Sequence, residues 1–389
     1  MIVRIVSYFI FFVLISVSFI FLSLAILEWG GISKFFLDKV VNKNKYYLHK
    51  TTYYGQILKQ DPYKPYIVQH LHPYYLFGMN WMKSKNKKYN NEIVSLDDEG
   101  FRHSLIFKDK KNDILILGGS SAFGIGSSSN EKTISSLLSS KTKYNAINRA
   151  YSAWNSHQEL LALIKYDKNY KYSVSFTGVN DFSNFCSSPK TLRNNYADTP
   201  ENFLLLADYF DDLRGKPILT FEKKFKKFLI YNFPNTKKIY KYIIKKFTKN
   251  NNSKNNSKKT FCGGNKEINK LVDQFLKNQL SMRRYSNSIG AEHWVVIQPM
   301  LSHHKNNNYD TKNKYEAIDY YVSKIMSSNL CKKNCLNLSN YFEKFQDKNY
   351  YMSQDNSDLN VAVFIDESHF LDHGTEKIVT QMIETIKFN

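Results

Sequence analysis

Asn112–Gly124, NDILILGGSSAFG, decides the fold. Asp113–Leu117 is an apolar run closed by a Gly/Ser turn, and this reads as a strand buried on both faces, the habit of parallel sheets covered by helices. Working outward, the same rhythm recurs. Asn130–Ser139 reads as a helix, Tyr144–Asn148 as a short strand, and Ser156–Lys165 as a helix with Leu160, Leu161 and Ile164 on its apolar side. Tyr172–Phe176 (YSVSF) is a third strand and His293–Ile297 (HWVVI) a fourth, the latter preceded by a helix around Ile268–Ser288. A fifth strand is expected near Val361–Ile365, and Gly374–Ile386 closes the chain as a helix. Strands alternating with helices predict a parallel α/β sheet with helices on both faces.

The N-terminus follows different rules. Ile5–Leu27 carries no charge over 23 residues, about 34 Å of helix at ~1.5 Å per residue, which is enough to cross a bilayer core of about 30 Å. Arg4 precedes it and Trp29 stands where an interfacial anchor would. The apolar region of a cleaved signal peptide is shorter, about 7–15 residues, although Ser23-Leu24-Ala25 offers a weak small-residue cleavage site. An uncleaved single-pass transmembrane helix is therefore expected. Lys34, Lys39, Lys43 and Lys45 after the span argue for a cytoplasmic body, whereas a four-residue leading tail and the indifference of long domains to flanking charge argue for export. An extracytoplasmic catalytic domain is expected.

Between these parts, residues 31–105 read as a polar, Tyr-rich connecting segment, giving an organisation of 1–30 anchor, 31–105 connection and 106–389 α/β domain. An insertion at about 190–265 interrupts the domain. Phe221, Phe225, Phe228 and Leu229 share one helical face, as do Ile239, Ile243 and Phe247 beyond Pro234, with lysines around both. Two basic amphipathic helices result, which rest on an anionic membrane surface, grip an anionic polymer or form a solvated lid packed on the body. Thr248–Thr260 contains only Lys, Asn, Ser and Thr and reads as a loop. The net charge of the 389-residue chain is +21, from 55 Lys+Arg against 34 Asp+Glu. With 28 Tyr and 28 Phe spread along the chain and no nucleic-acid-binding motif, the charge reads as a compositional bias, and no nucleic-acid partner is expected. Cys331 and Cys335 lie close enough for a local disulfide, and Cys186 and Cys262 could form a second; four free thiols are the alternative. No Cys/His spacing suits a metal, and no cofactor is expected.

Three loci carry the chemistry. Ser120, in the Gly-rich turn after a buried strand, is placed for a nucleophile, with the next helix N-terminus offering N–H groups to an oxyanion. The turn lacks the Gly-Lys-Ser/Thr ending of a P-loop. Asn180, in Thr177-Gly178-Val179-Asn180-Asp181, stands at a strand end, where it can donate to an oxyanion or cap the following helix. Asp366 is three residues before His369, so its carboxylate can accept the imidazole N–H and fix the tautomer; a lone His of this kind can equally be structural.

In that order, Ser, Asn and Asp-x-x-His resemble the blocks of the SGNH (GDSL-like) hydrolase family, over roughly residues 95–389 outside the insertion. GGSSAFG resembles the first block, Asn148-Arg149-Ala150-Tyr151-Ser152-Ala153 the second, Gly178-Val179-Asn180-Asp181 the third and Asp366-Glu367-Ser368-His369 the last. Glu99-Gly100-Phe101-Arg102 and Gln298-Pro299 look like elements of membrane-anchored members. The resemblance implies a three-layer sandwich around a central parallel sheet, SGNH/flavodoxin-like. It also implies a Ser120–His369–Asp366 triad and an oxyanion hole of the Ser120 and Ala153 backbone N–H groups with the Asn180 amide; Gly178, Arg102 and Gln298 are candidate substrate contacts. Two departures stand out. Gly119 replaces the family's usual Asp, and Ala153 replaces a Gly, which strains the hole if the backbone there needs positive φ. The implied function is a membrane-anchored serine esterase acting on an acylated polysaccharide, glycolipid or lipid at the cell surface. An O-acyltransferase uses the same triad, and a catalytically inactive glycan-binding or assembly subunit is a third reading.

Overall fold

In a computed structural model, the described residues are 2–32, 70–72, 75–78, 90, 93–187, 261–305, 312–345, 363–365 and 368–388. The chain divides into two units; among the described residues the first is the N-terminal segment 2–32 alone, and the second is the α/β body. In the first, Ile2–Trp29 forms one 28-residue helix, α1, with Tyr8, Phe12, Phe19 and Trp29 exposed. Counting only the residues described in full, no helix is long and apolar enough to cross a membrane. The backbone of α1 is nonetheless continuous over the charge-free run.

In the body, a small antiparallel pair, β1 (His70–His72) and β2 (Leu76–Gly78), precedes the main sheet. The main sheet holds β3 (Lys111–Gly118), β4 (Tyr144–Asn148), β5 (Tyr172–Thr177), β6 (Glu292–Ile297) and β7 (Cys335–Asn337). Every pairing is parallel and the order is β4-β3-β5-β6-β7. Counted from β3, this is the flavodoxin-like order, and its direction reverses between β3 and β5. Ile114, Leu115, Ile116 and Leu117 are all fully buried, as an apolar run without alternation requires.

The helices are α2 (Ser120–Phe123), α3 (Ile134–Lys141), α4 (Ser156–Lys165), α5 (Val179–Ser187), α6 (Asn265–Ser288), α7 (Lys312–Met326) and α8 (Asp372–Ile386). Strand β5 shows how they divide between two faces. Its even-numbered residues point to one side, where the Phe176 ring meets Phe370 and Tyr172 meets Phe388, on either flank of α8; α3 packs against α8 and β4 there. Ser173, Ser175 and Thr177 point to the other side, against α4 and α6.

That second face is polar although it is buried. Ser173 Oγ lies 2.8 Å from His293 Nδ1 and 2.9 Å from Ser286 Oγ. His293 Nε2 is 3.0 Å from Gln279 Oε1, a carbonyl that can only accept, so the ring is the Nε2–H tautomer. Gln279 Nε2 donates in turn to Glu159 Oε2 at 3.5 Å. Burial, reinforced by Arg283, pushes His293 down to about 3, so the ring stays neutral. Burial and then the neighbouring Asp181 carboxylate push Glu159 up to about 8, so it holds its proton at neutral pH.

Two sequence expectations change. The fifth strand is β7, not Val361–Ile365; of that stretch the described part, Val363–Ile365, forms a single antiparallel bridge, Phe364 to Phe370. The Ile365 N–H donates to the His369 carbonyl and the Leu371 N–H to the Val363 carbonyl, so these backbone groups pair locally and not with the sheet. Residues 93–105, expected within a connection, pack into the body. Val94 and Phe101 are buried, and Arg149 bridges Asp97 and Glu99 at 3.1 and 2.8 Å. The insertion expected at about 190–265 lies outside the described residues over 188–260. Both cysteine pairs are joined, Cys186 to Cys262 and Cys331 to Cys335, and no described cysteine is free. The first pair links the end of α5 to the 3-10 turn Phe261–Gly263 across the insertion.

Two predictions follow from this packing. Cys186→Ser with Cys262→Ser is expected to lower unfolding free energy by about 4 kcal/mol, and the Cys331/Cys335 pair by about 2, as loop-closure entropy scales. Urea denaturation of both double variants checks the order, and a larger loss at the short loop would contradict it. Between pH 4.5 and about 8 the folded chain keeps a Glu159 proton that the unfolded chain has released, so stability falls as pH rises through that window. Glu159→Gln is expected to flatten this fall, measured as urea midpoints at pH 5, 7 and 9; an unchanged slope would refute the assignment.

Candidate active site

The candidate site lies at the C-terminal ends of β3 and β5, on either side of the point where strand order reverses, and this is where an open α/β sheet forms its crevice. Ser120 opens α2 directly after β3, with Gly119 as its N-cap and Gly124, in the left-handed conformation, ending the helix after one turn. So short a helix leaves its carbonyls in need of partners. Asn148 Nδ2 donates to the Ala122 carbonyl at 3.1 Å and Arg102 Nη1 to the Gly124 carbonyl at 2.6 Å. Arg102 also donates to Asn130 Oδ1 and to the carbonyls of Ile93 and Ser129, and it is 1% exposed. It has no surface to offer a substrate, which corrects the expectation that it contacts one. Its guanidinium braces the serine turn instead, and the sequence gives no sign of this because the acceptors at Ile93, Gly124 and Ser129 are backbone carbonyls.

His369 Nε2 lies 2.6 Å from Ser120 Oγ, across 249 positions of sequence. Both side chains are partly exposed. The His369 segment is laid along the serine loop by a series of contacts. Ser121 Oγ donates to the Ser368 carbonyl at 2.6 Å. Gly126, at φ +107°, faces the Phe370 backbone so closely that a Cβ would lie 2.1 Å from its carbonyl oxygen. Ser128 binds both carboxylate oxygens of Asp372, its N–H at 2.9 Å and its hydroxyl through a second, short bond. Lys132 pairs with Glu376 at 3.0 Å. Asp366 lies outside the described residues.

The third locus closes over the serine. Gly178, buried at φ +106°, turns the chain out of β5 and its carbonyl accepts from the Phe182 N–H, starting α5. Asn180 Nδ2 then donates to the Trp154 carbonyl at 2.7 Å, which commits one of its two amide N–H bonds and leaves the other. Asp181, beside it and 1% exposed, accepts from the Ser156 hydroxyl at 2.6 Å and from the Ser156 N–H. The α5 start is thus joined to the 151–155 loop at Trp154 and to the first residue of α4 at Ser156.

This junction accounts for Gly119. A Cβ there would stand 2.2 Å from Asn180 Nδ2 and 3.0 Å from the Trp154 oxygen, so a side chain at 119 and this Asn180 position exclude one another. The same distances place the Asn180 amide beside the Ser120 turn and beside the loop carrying Ala153. Among the described residues, the N–H groups of Ser120 and Ala153 have no acceptor. Gln298, 3% exposed, donates to Ser121 Oγ at 3.1 Å and to the Ser368 carbonyl at 3.4 Å. It is turned into the protein, which corrects its expected role as a substrate contact. The part played by Ser121, Asn148, Asp181 and Asp372 was missed in the sequence; only the repetition of Ser beside Ser120, and of Asp beside Asn180 and before the last helix, could have drawn attention to them. Among the described residues no group of His, Cys, Asp and Glu is arranged to hold a metal.

Ala153 adopts φ +63°. A left-handed conformation costs an L-residue roughly 1–2 kcal/mol, and glycine costs about 0.5–1 kcal/mol in chain entropy. Ala153→Gly is therefore expected to keep the N–H in place and to raise stability by up to about 1 kcal/mol. Urea denaturation checks this, and a clear loss of stability would show that the methyl group packs productively.

No protein-family model matches the sequence, and no curated protein matches it. Among solved structures, the chain is similar to a GDSL-like lipase from Bacteroides ovatus ATCC 8483, at 11% identity and a TM-score of 0.35, over 72% of this chain and 55% of that one, so it spans about half of that neighbour's length. It is similar also to the esterase EstA from Pseudoalteromonas sp., at 15% identity and 0.33, over 71% and 97%. A third likeness is to the acetyl xylan esterase AlAXEase, at 12% identity and 0.35, over 70% and 99%.

Proposed function

We propose that the chain is a membrane-anchored serine esterase of SGNH type that deacylates a carbohydrate or lipid outside the cytoplasm. The 2.6 Å approach of His369 Nε2 to Ser120 Oγ carries this reading. In the proposed reaction, Ser120 Oγ attacks an ester carbonyl carbon while His369 takes the hydroxyl proton. The carbonyl oxygen becomes an oxyanion within reach of the Ser120 and Ala153 N–H groups and the uncommitted Asn180 N–H. Collapse breaks the ester C–O bond, and His369 returns its proton to the departing alcohol. Water then attacks the acyl-Ser120, His369 takes a proton from it, and the acid leaves as Ser120 recovers its hydrogen. Asp366, three residues before His369 in sequence, is the proposed partner of the other imidazole nitrogen.

The setting is argued from two observations. The charge-free run inside α1 is long enough to serve as an anchor. Pairing of all four cysteines suits an oxidising compartment. An ester of a cell-surface glycan or lipid is the substrate class such a placement would bring to the site.

Ser120→Ala is expected to abolish both ester turnover and labelling by a fluorophosphonate probe. Asn180→Ala should lower kcat by about 10²–10³-fold, the usual loss for one oxyanion donor. Equal labelling of wild type and Ser120→Ala would refute the nucleophile.

A further inference from the structure

We propose that Ser121 and Gln298 act as positioning residues that lock the peptide group preceding His369 and so set the imidazole against Ser120. This rests on reading Ser120 as nucleophile and His369 as base. The peptide between Ser368 and His369 presents its carbonyl to two donors, Ser121 Oγ at 2.6 Å and Gln298 Nε2 at 3.4 Å. Gln298 Nε2 also reaches Ser121 Oγ at 3.1 Å, which closes a triangle of three polar groups. On the far side of His369, its own carbonyl accepts from the Ile365 N–H at 2.9 Å. Both peptide groups flanking the His369 Cα are therefore held, and only the two side-chain torsions remain to aim the ring.

The two donors stand on well-anchored elements. Ser121 is the residue after Ser120 in α2, so the bond that holds His369 from behind also belongs to the nucleophile's own turn. Gln298 follows β6 and its backbone N–H donates to the Thr177 carbonyl at 3.0 Å, extending the β5–β6 ladder. Ser121 and Gln298 are 4% and 3% exposed. Ser121 Oγ and Gln298 Nε2 are engaged with one another and with the Ser368 carbonyl, so these two groups act through His369. A displacement of about 1 Å at such a contact costs up to about 10²-fold in rate.

The test uses the full-length protein with a p-nitrophenyl ester, comparing Ser121→Ala, Gln298→Met and the double variant, with active enzyme counted by fluorophosphonate titration. Each single variant is expected to lose about 10- to 100-fold in kcat with KM within about twofold. The double variant should lose little more than the worse single one, because both break the same triangle. The kcat–pH profile should change in both. A raised KM with unchanged kcat would make Gln298 a substrate contact and overturn the proposal. Unchanged kcat and pH profile in both, or strictly additive losses, would overturn it also. Turnover retained in Ser120→Ala would instead refute the underlying hydrolase reading, so the two failures are distinguishable.

Discussion

The contact between Ser120 and His369 can exist only if two segments about 245 residues apart are held side by side, and the rest of the site depends on that seam. One hydrogen bond between partly exposed side chains contributes too little to hold them, about 0.5–1.5 kcal/mol net. The seam supplies the remainder by repetition. Ser121 meets Ser368, Gly126 meets Phe370, Ser128 meets Asp372 and Lys132 meets Glu376, in order along both segments. The exposed Lys132–Glu376 pair adds little by itself. Ser121, Gly126 and Phe370 are buried, and there a lost partner leaves an unsatisfied polar group or a clash.

Sheet order supplies the second dimension. Because the chain enters at β3, moves outward to β4 and then returns across to β5, the turns after β3 and β5 are neighbours with nothing between their C-terminal ends. Ser120 and Asn180 follow those two strands by two and three residues. The 151–155 loop after β4 reaches over to join them: the Tyr151 N–H donates to the Gly118 carbonyl, and Trp154 and Ser156 bind the start of α5. Three consecutive strand ends thus deliver three candidate groups to one crevice, while the buried polar layer around Glu159 and Asp181 fixes α4 against α5 from below.

What could be read in the sequence was local. Asp113–Leu117, Tyr144–Asn148 and Tyr172–Phe176 each carry their strand pattern within five residues, and Ser156–Lys165 shows a helical spacing in Leu160, Leu161 and Ile164. Ser120 and Asn180 stand out because each sits just past such a strand, and His369 because Asp366 precedes it by three residues. The rest depends on partners far away in the chain. Cys335–Asn337 is too short to show a period, and it becomes a strand only because β6 offers an edge. Ser173 and Ser175 look like weak strand residues until α6 places Ser286 and Gln279 opposite. Arg102 and Gln298 enter as substrate contacts only through the resemblance; the Ile93, Gly124 and Ser129 carbonyls with Asn130 engage the first, and Ser121 Oγ with the Ser368 carbonyl the second, pairings that a sequence does not show.

Gly119 and Ala153 are explained by one junction. The Asn180 amide sits against the Trp154 carbonyl, in space that any side chain at 119 would occupy. Glycine at 119 is therefore compatible with an oxyanion donor at 180, and its presence does not by itself argue for a silenced site. Ala153 lies in the loop that this bond draws in, and its positive φ is the conformation for which glycine is the relaxed choice. The strain is tolerable because Trp154 packs against Tyr75, Phe101 and Tyr151 and is 2% exposed. The aromatic cluster holds Tyr151 and Trp154 on either side of Ala153, and the Tyr151 N–H is tied to the Gly118 carbonyl, so the turn between them is constrained from both ends and the cost of the left-handed alanine is met by that packing.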